Sequence, residues 1–234
     1  GWTYPLSTGI ELTEKAIRIA LGEPPGSLAP VWNRTSAERA VLSIPGTVER
    51  VDGTDAAAGR KAIAELFVTV ERGTAVRFPR SNVEKCGNVI AVHEEREAAC
   101  QEAEAAIADI EVVLALSSQA TEEFLFEDTS HVAFPRALCA FGRTHRPVSR
   151  SAFRRAVRDA RVNDTVLLPA VDLDSTERDW AFRTVPASIE QLEQDGLQRS
   201  TRGNDAGMAI MWGLLKGGLQ GGRYAARSIL KRRQ

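Results

Sequence analysis

Cysteine is scarce in this sequence of 234 residues, and the three cysteines stand singly along the chain. They are Cys86, Cys100 and Cys139, an odd number without a C-x-x-C spacing. This pattern argues against a disulfide scaffold and favours a reducing, cytoplasmic compartment. The three histidines show no metal-ligand spacing with one another or with cysteine, so the sequence predicts no metal site.

Long apolar runs and an excess of one charge sign are also missing. No stretch reaches the ~20 apolar residues that cross a bilayer, so we expect no transmembrane span. The formal net charge of −1 indicates no particular partner. Charge is nevertheless uneven along the chain, because acidic residues concentrate around 94–111 and basic residues in 143–161 and 216–233.

Signature motifs of several enzyme classes are absent too. The sequence holds no phosphate-binding G-x-x-x-x-G-K-[ST], no G-x-G-x-x-G after a strand, no H-E-x-x-H and no G-x-S-x-G. Cys86 precedes Gly87 without a histidine or an acid at a suggestive spacing. A buried structural cysteine is therefore favoured over a nucleophile.

What the sequence does contain begins with a helix that has marked ends. Thr8 and Glu11 have the spacing of a capping box, in which each side chain would satisfy a free backbone N–H at the helix start. A broad apolar face follows over residues 10–21. Gly22 suits a left-handed stop, and the two prolines after it prevent continuation.

The next hundred residues predict a compact α+β unit. A long helix is expected over 94–109, with an alanine-rich inward face that would let it lie close on a sheet. Shorter helical turns are expected over 54–61. Alternating or apolar patterns predict strands over 39–44, 64–71, 88–93 and 110–116, with Ala75–Phe78 pairing back on 64–71 as a hairpin.

Two parts of this region resemble one known family. Gly1–Trp2 and TGIELTEKAIRIALGE at 8–23 resemble the end of the ATP-grasp catalytic domain of L-amino acid ligases and related carboxylate–amine ligases. RFPRS at 77–81, GNVIAV at 87–92 and the Glu/Ala-rich helix are similar to the C-terminal subdomain of the same family. The sequence departs at Lys85, where arginine is common, and at His93, where glycine is usual. The resemblance covers about residues 1–116.

The resemblance implies an ATP-dependent ligase that activates a carboxylate as an acyl phosphate, which an amine then attacks to give an amide or dipeptide. The family's residues for ATP and Mg²⁺ would lie upstream of Gly1, and the chain does not begin with Met. We therefore expect a truncated chain that is inactive alone, binds neither cofactor, has no catalytic or metal residue of its own, and has the missing N-terminal half as its partner.

Two residues are candidates for binding the substrates of such an enzyme. The resemblance places Trp2 in a loop that lines the amino-acid pocket, where an indole suits an apolar or aromatic side chain. The alternative for Trp2 is a frayed terminal residue or a core anchor. Arg80 lies in a predicted polar loop and could hold a carboxylate or a phosphate with two hydrogen bonds. The alternative for Arg80 is a solvated loop arginine.

We divide the chain into residues 1–29, the last helix of the catalytic domain, 30–118, the C-terminal α+β subdomain, and 119–234, a basic and mainly helical extension of unknown role. In the extension, helices are predicted over 149–161 and 188–194, and 165–171 is read as an extended segment. The second hypothesis for the whole chain is a non-catalytic module whose basic half docks nucleic acid or a protein. A homo-oligomer is also left open.

Two features of the extension carry these alternatives. The first is a set of arginines near helical spacing, for which a solvated face paired with the acids of 94–111 or 172–179 is favoured over nucleic-acid binding. These arginines are Arg146, Arg150, Arg154, Arg158 and Arg161. The second is the stripe of Gly213, Gly217 and Gly221. Because each glycine inside a helix costs about 1 kcal/mol relative to alanine, close packing against another element must compensate.

Overall fold

The computed structural model describes residues 1–160, 165–170, 173 and 176–231. Its α+β class is the predicted one, although the strands form three small sheets. The predictions that involve Arg161, Val171, Asp172 and the basic residues after Lys231 lie outside the described residues. The helices are α1 (Thr3–Thr8), α2 (Leu12–Ala20), α3 (Thr54–Ala58), α4 (Arg96–Asp109), α5 (Gln119–Phe126), α6 (Pro135–Thr144), α7 (Arg150–Asp159), α8 (Val185–Gln194) and α9 (Asp205–Leu230).

The strands lie between groups of these helices along the chain, and a 3₁₀ turn covers Asn82–Glu84. The strands are β1 (Thr35–Val41), β2 (Gly46–Asp52), β3 (Ile63–Val68), β4 (Ala75–Val76), β5 (Gly87–His93), β6 (Glu111–Leu114), β7 (Leu167–Pro169) and β8 (Gln198–Ser200). The chain separates into two compact units, and each unit combines several chain segments. Unit 1 holds residues 1–41, 53–69 and 86–110, and unit 2 holds residues 42–52, 70–85 and 111–234.

Unit 1 is an antiparallel sheet, in the order β1-β5-β3, with helix α4 packed on it. The contact is made by alanines: Ala99 and Ala103 of the helix meet Ala37 and Ala91 of the sheet, all of them buried. Small side chains let the helix lie close to the strands, as its sequence predicted. Helix α2, in contrast, has no buried residue.

Unit 2 is organised around helix α9, which packs against α5, α6, α7, α8, β6 and β7. Most of its 26 residues are buried. The sheet of this unit has the order β4-β2-β6 and is antiparallel, while β7 and β8 form a short parallel pair. The amide of Gln220 joins α9 to this sheet region, because it accepts from Ile44 N (3.0 Å) and donates to Ser43 Oγ (2.8 Å) and Val112 O (2.6 Å).

The predicted capping box at the start of α2 is wrong. Thr8 is instead the last residue of α1, and its hydroxyl donates to Tyr4 O (2.9 Å). Gly9 follows with a φ of 77°, so the chain leaves one helix before it enters the next. Glu11 precedes α2 without a side-chain capping bond. The predicted left-handed stop at Gly22 is confirmed by its φ of 78°.

The predicted hairpin between 64–71 and Ala75–Phe78 is also wrong. Strand β4 pairs with β2, in the register Gly46 to Val76 and Thr47 to Ala75. The turn at Gly73 explains the exchange of partner, because Gly73 N donates to Val48 O (2.8 Å) and Val48 N donates to Thr74 O (2.9 Å). The first predicted strand is shifted as well, since β1 ends at Val41 and β2 begins at Gly46.

Candidate functional site

Trp2 lies in a cleft of about 440 Å³ in unit 1. A second indole, that of Trp32, lines the same cleft and is fixed by a hydrogen bond from its Nε1 to Leu6 O (3.1 Å). The Trp2 ring itself is 57% exposed, and its centroid lies 5.4 Å from that of Phe67. Trp2 therefore forms an exposed wall of the cleft that is supported from one side.

Two carboxylates share this cleft with the indoles. Glu11 and Glu65 are among the lining residues. An aromatic face and a carboxylate both attract an ammonium group, the first through the ring quadrupole and the second through its charge. The lining is thus suited to a ligand that combines an apolar or aromatic side chain with a positive group.

Arg80 lies in unit 2, in an exposed part of the loop that the sequence predicted. Its backbone N–H donates to Glu84 Oε2 (2.7 Å), and Arg77 Nη1 lies 3.6 Å from Oε1 of the same carboxylate. Glu84 therefore fixes the backbone of this loop. Trp2 and Arg80 belong to different units.

The residue next to this loop, Phe78, belongs to an aromatic cluster of unit 2. Its ring centroid lies 4.5 Å from that of His131, 4.8 Å from that of Trp180 and 6.0 Å from that of Phe124. The cluster anchors the loop that carries Arg80, and it lies beside a break in helix α9.

Helix α9 is broken at two consecutive glycines. Gly217 has φ −118° and ψ 15°, and Gly218 has φ 62° and ψ −163°, a combination open essentially to glycine alone. The break frees backbone groups at the ends of both halves. The carbonyls of Leu215 and Lys216 accept from Phe134 N (3.1 Å) and Ala133 N (3.0 Å). Every polar group that a break exposes in a core needs such a partner.

Two buried charged side chains complete the break. The Asp179 carboxylate accepts from Leu219 N, at the start of the second half of the helix, and from the backbone N–H groups of Ala181 and Arg183 (2.9 Å each). Burial raises the pKa of the Asp179 carboxyl, while the Arg183 and other N–H donors oppose that shift. Asp179 thus caps the second half-helix.

Lys216 has the complementary place at the end of the first half-helix. It is only 3% exposed, and its Nζ donates to His131 O (2.9 Å) and to Asp128 O. Burial lowers the pKa of the Lys216 ammonium, against the opposite effect of Asp128. Because Lys216 and Asp179 both bond to backbone groups around the break, we assign them to its structure rather than to acid–base chemistry.

The sequence contains a signal for this break. A lysine followed by two adjacent glycines interrupts an otherwise apolar segment, LLKGGL at 214–219. A buried lysine needs acceptors, and a Gly-Gly pair permits backbone conformations that a helix does not have. Asp179, which is distant in sequence, could be found only from the fold.

The next residues to consider are the buried thiol of Cys86 and the side chains that could bind a metal ion. Cys86 is buried at 1% exposure, and burial raises the pKa of its thiol to about 11, so it is a structural cysteine as predicted. Within the described residues, no group of three or more His, Cys, Asp or Glu side chains could hold a metal ion. We therefore assign no magnesium site to these residues and derive no step through MgATP.

The arginines of α7 are partly neutralised inside unit 2. Glu122, which is 6% exposed, accepts from Arg150 Nε (3.0 Å) and Arg154 Nε (2.7 Å). Arg150 also pairs with Glu123 at 3.1 Å. The acidic partners lie on α5, so the predicted partners in 94–111 or 172–179 are wrong for Arg150 and Arg154. Arg161 lies outside the described residues.

The N-terminal 32 residues carry a second surface of interest. Among the described residues, all but one of the exposed large hydrophobic side chains lie in this stretch, Val83 being the exception. On α2 and just after it, Ile17 is 55%, Ile19 60% and Leu21 71% exposed. An apolar face of this size on a helix marks an interaction surface. No helix of the described residues is long and apolar enough to cross a membrane.

Comparison with known proteins gives one match to a family. Residues 40–115 match the model of the L-amino acid ligase C-terminal domain 2. The predicted resemblance to the C-terminal part of an ATP-grasp carboxylate–amine ligase is therefore confirmed for this part of the chain. A comparison with curated proteins found no match.

Two solved structures show a weaker likeness. Phosphoribosylglycinamide synthetase from Anaerococcus prevotii is 17% identical, with a TM-score of 0.43 over 48% of this chain and 29% of its own. L-amino acid ligase from Bacillus licheniformis is 20% identical, with a TM-score of 0.42 over 49% of this chain and 29% of its own. The chain thus covers under a third of either protein, and at this similarity neither bears on its activity.

Proposed function

Residues 40–115 resemble the second C-terminal domain of an L-amino acid ligase, and from this match we propose that the chain is the C-terminal portion of an ATP-dependent ligase. The ligase joins a carboxylate to an amine through an acyl phosphate and forms an amide or dipeptide bond. The family match is the observation that carries this proposal. ATP and Mg²⁺ belong to the complete enzyme and are held by its N-terminal half.

In this proposal the first segment, residues 1–29, packs on the catalytic body. The exposed apolar side chains of the N-terminal stretch support this partner, because a helix without a buried residue has most of its apolar area still to bury. The α+β subdomain of residues 30–118 then closes one side of the ligase site. The extension of residues 119–234 packs with residues 42–52 and 70–85 in unit 2 and has no proposed part in the ligase reaction.

Trp2 contributes a wall of the amino-acid pocket in this arrangement. Its indole contacts the apolar part of the substrate, while Glu11 or Glu65 attracts the substrate's ammonium group before that amine is deprotonated for attack. Arg80 is proposed to bind a substrate carboxylate or a phosphate, which the exposure of its side chain permits.

The test compares this chain with the same chain joined to the segment that precedes it in its gene. ADP release is followed with ATP, Mg²⁺ and mixtures of amino acids, and the dipeptide product is identified by mass spectrometry. We expect no turnover from the chain alone and amino-acid-dependent ADP release from the joined protein. ADP release by the chain alone, or none by a folded joined protein, would contradict the proposal.

The role of Trp2 is tested in the joined protein. Trp2→Ala removes the indole wall, so we expect KM for the amino acid to rise about tenfold, the loss that follows from 1–2 kcal/mol of apolar contact. Tyr4→Ala is the matched control, because Tyr4 is 43% exposed in the same segment and does not line the cleft. Equal effects of the two substitutions would remove Trp2 from the substrate pocket.

A further inference from the structure

Unit 2 has a cleft of about 920 Å³ that the proposed ligase role does not use. Its lining residues come from β2, the turn at Arg72–Gly73, the segment after β6, α5, α7 and the end of α9. Four basic side chains line it: Arg72, Arg154, Arg158 and Lys231. They come from three separated parts of the sequence, with Arg154 and Arg158 on successive turns of α7, so the fold, and not a local charge run, brings them together.

The acidic side chains in the cleft already have partners. Glu49 Oε2 lies 2.5 Å from Arg227 Nη2, and Glu122 is shared by Arg150 and Arg154. Arg72 and Lys231 are exposed, and neither side chain has a hydrogen bond or an ion pair to the rest of the described chain. The cleft therefore keeps an excess of positive charge that the described residues do not neutralise.

Part of the cleft lining is apolar. Leu116, Phe153 and Val157 form this part, which we call the apolar floor. Ser117, at the rim, has a φ of 62°, a left-handed conformation that costs a non-glycine residue free energy and that clusters at ligand sites. A volume of this size is within the usual range for small organic ligands, roughly 300–1,000 Å³.

We propose that this cleft binds a small organic phosphate, whose phosphate group contacts Arg72 and Lys231 and whose apolar part lies on Leu116 and Val157. One guanidinium group can donate two parallel hydrogen bonds to two oxygens of a phosphate, and a lysine adds a positive charge on a flexible side chain. Because inorganic phosphate would contact only Arg72 and Lys231, contact with the apolar floor should give the organic phosphate the higher affinity. The proposal does not rest on the ligase role, because none of the cleft residues is among the residues proposed to bind the ligase substrates.

The experiment titrates the whole chain with phenyl phosphate and follows binding by calorimetry and by chemical shifts of the cleft residues. Inorganic phosphate tests the charge alone, and phenol tests the apolar floor alone. We expect phenyl phosphate to bind at least tenfold more tightly than either, with an affinity that falls as salt is added. Equal binding of inorganic phosphate, or no binding of phenyl phosphate, would overturn the proposal.

Two substitutions locate the site. Arg72→Ala and Lys231→Ala each remove an exposed, unpaired cation, so the fold is retained and the affinity for phenyl phosphate is expected to fall about tenfold. Arg155→Ala is the matched control, because Arg155 is an exposed arginine of the same helix α7 and does not line this cleft. An equal loss in the control variant would overturn the assignment to the cleft.

An oligonucleotide serves as the competing probe. If a single-stranded decamer binds more tightly than phenyl phosphate and Arg155→Ala weakens it as much as Arg72→Ala, the basic surface of α7 is a nucleic-acid surface and the small-ligand proposal fails. If the decamer competes no better than inorganic phosphate does, the proposal is supported.

Discussion

Helix α2 of unit 1 and helix α9 of unit 2 contrast in almost every respect. Helix α2 contains no glycine and has no buried residue, although its apolar face is broad. Helix α9 contains six glycines and is buried over most of its length. Intrinsic helix propensity would favour α2, so it is tertiary packing that makes α9 the centre of its unit.

The difference lies in what each helix does with its small or apolar residues. The two halves of α9 approach one another at Gly213 and Gly221, where a Cβ on Gly213 would lie 2.8 Å from the carbonyl oxygen of Gly221. Part of the glycine stripe is thus a contact within one segment, made possible by the break at Gly217–Gly218, while Gly217 and Gly221 also lie against Leu125 of α5. Helix α2 has no such partner among the described residues. The exposed apolar face of α2 therefore indicates a partner outside the described residues, whereas the glycine stripe of α9 has its contacts within unit 2.

The largest expected effect comes from closing the gap between the half-helices. Gly221→Ala places a methyl group against the backbone carbonyl of Gly213, where neither chain segment can yield as a flexible side chain would. We expect a loss of about 2–3 kcal/mol in the free energy of unfolding, the range for overpacking a close contact. Urea unfolding followed by circular dichroism measures it.

Gly142→Ala is the control for this substitution. Gly142 lies in α6, and a Cβ there would meet no atom within 4 Å. Alanine should therefore raise the free energy of unfolding by about 0.5–1 kcal/mol, because it has the higher helix propensity. If Gly221→Ala is as well tolerated as Gly142→Ala, the half-helices do not meet at the glycines.

A smaller effect, with a defined pH dependence, is expected at Lys216. Burial lowers the pKa of its ammonium from the ordinary value of 10.5, so the native state loses this proton before the unfolded chain does. Between the native and the unfolded pKa the unfolded state binds more protons, and stability rises with pH. The free energy of unfolding of the wild type relative to Lys216→Met should therefore increase from pH 7 to pH 10.

At neutral pH the Lys216→Met change itself should cost less than about 2 kcal/mol, since lost hydrogen bonds to two carbonyls are offset by the relief of burying a charge. Lys61→Met, at an exposed lysine, removes the same charge from the surface and serves as the control. A difference between wild type and Lys216→Met that stays constant or falls over this pH range would contradict the buried ammonium.

Much of unit 1 could be predicted from local patterns. The alanine face of α4 and the apolar run of β5 each determine their own structure, and both elements were predicted to within two residues. The predicted pairing of strand β4, which lies in unit 2, was wrong. Whether Ala75–Val76 meets β3 or β2 depends on a turn whose hydrogen bonds go to Val48, more than twenty residues earlier, and periodicity contains no information on such a partner.

The candidate sites divide in the same way. Trp2 was singled out from a family resemblance, and the fold adds Trp32 and Glu65, which no spacing connects with it. The prediction that the glycine stripe needs close packing against another element is confirmed, since Gly217 and Gly221 lie against Leu125 of α5. The additional contact between Gly213 and Gly221 across the break was not predicted. The cationic cleft could not be predicted from the sequence, because Arg72 and Lys231 are separated by most of the chain.

The smallest expected effect on stability comes from the other side of the comparison. Ile17→Glu with Ile19→Glu places two charges on the apolar face of α2, where the side chains are 55% and 60% exposed. We expect the free energy of unfolding of this chain to change by less than about 0.5 kcal/mol, since exposed positions tolerate such changes. Ile10→Ala, at 4% exposure beside the same helix, should lower the free energy of unfolding by about 2–4 kcal/mol and shows that the assay detects losses in this region.

In the protein joined to its preceding segment, the Ile17→Glu and Ile19→Glu double substitution should lower the free energy of unfolding by several kcal/mol, because each substitution would there place a charge in a buried contact. An unchanged stability in both proteins would mean that α2 faces solvent in each, and the apolar face would lose its assigned partner.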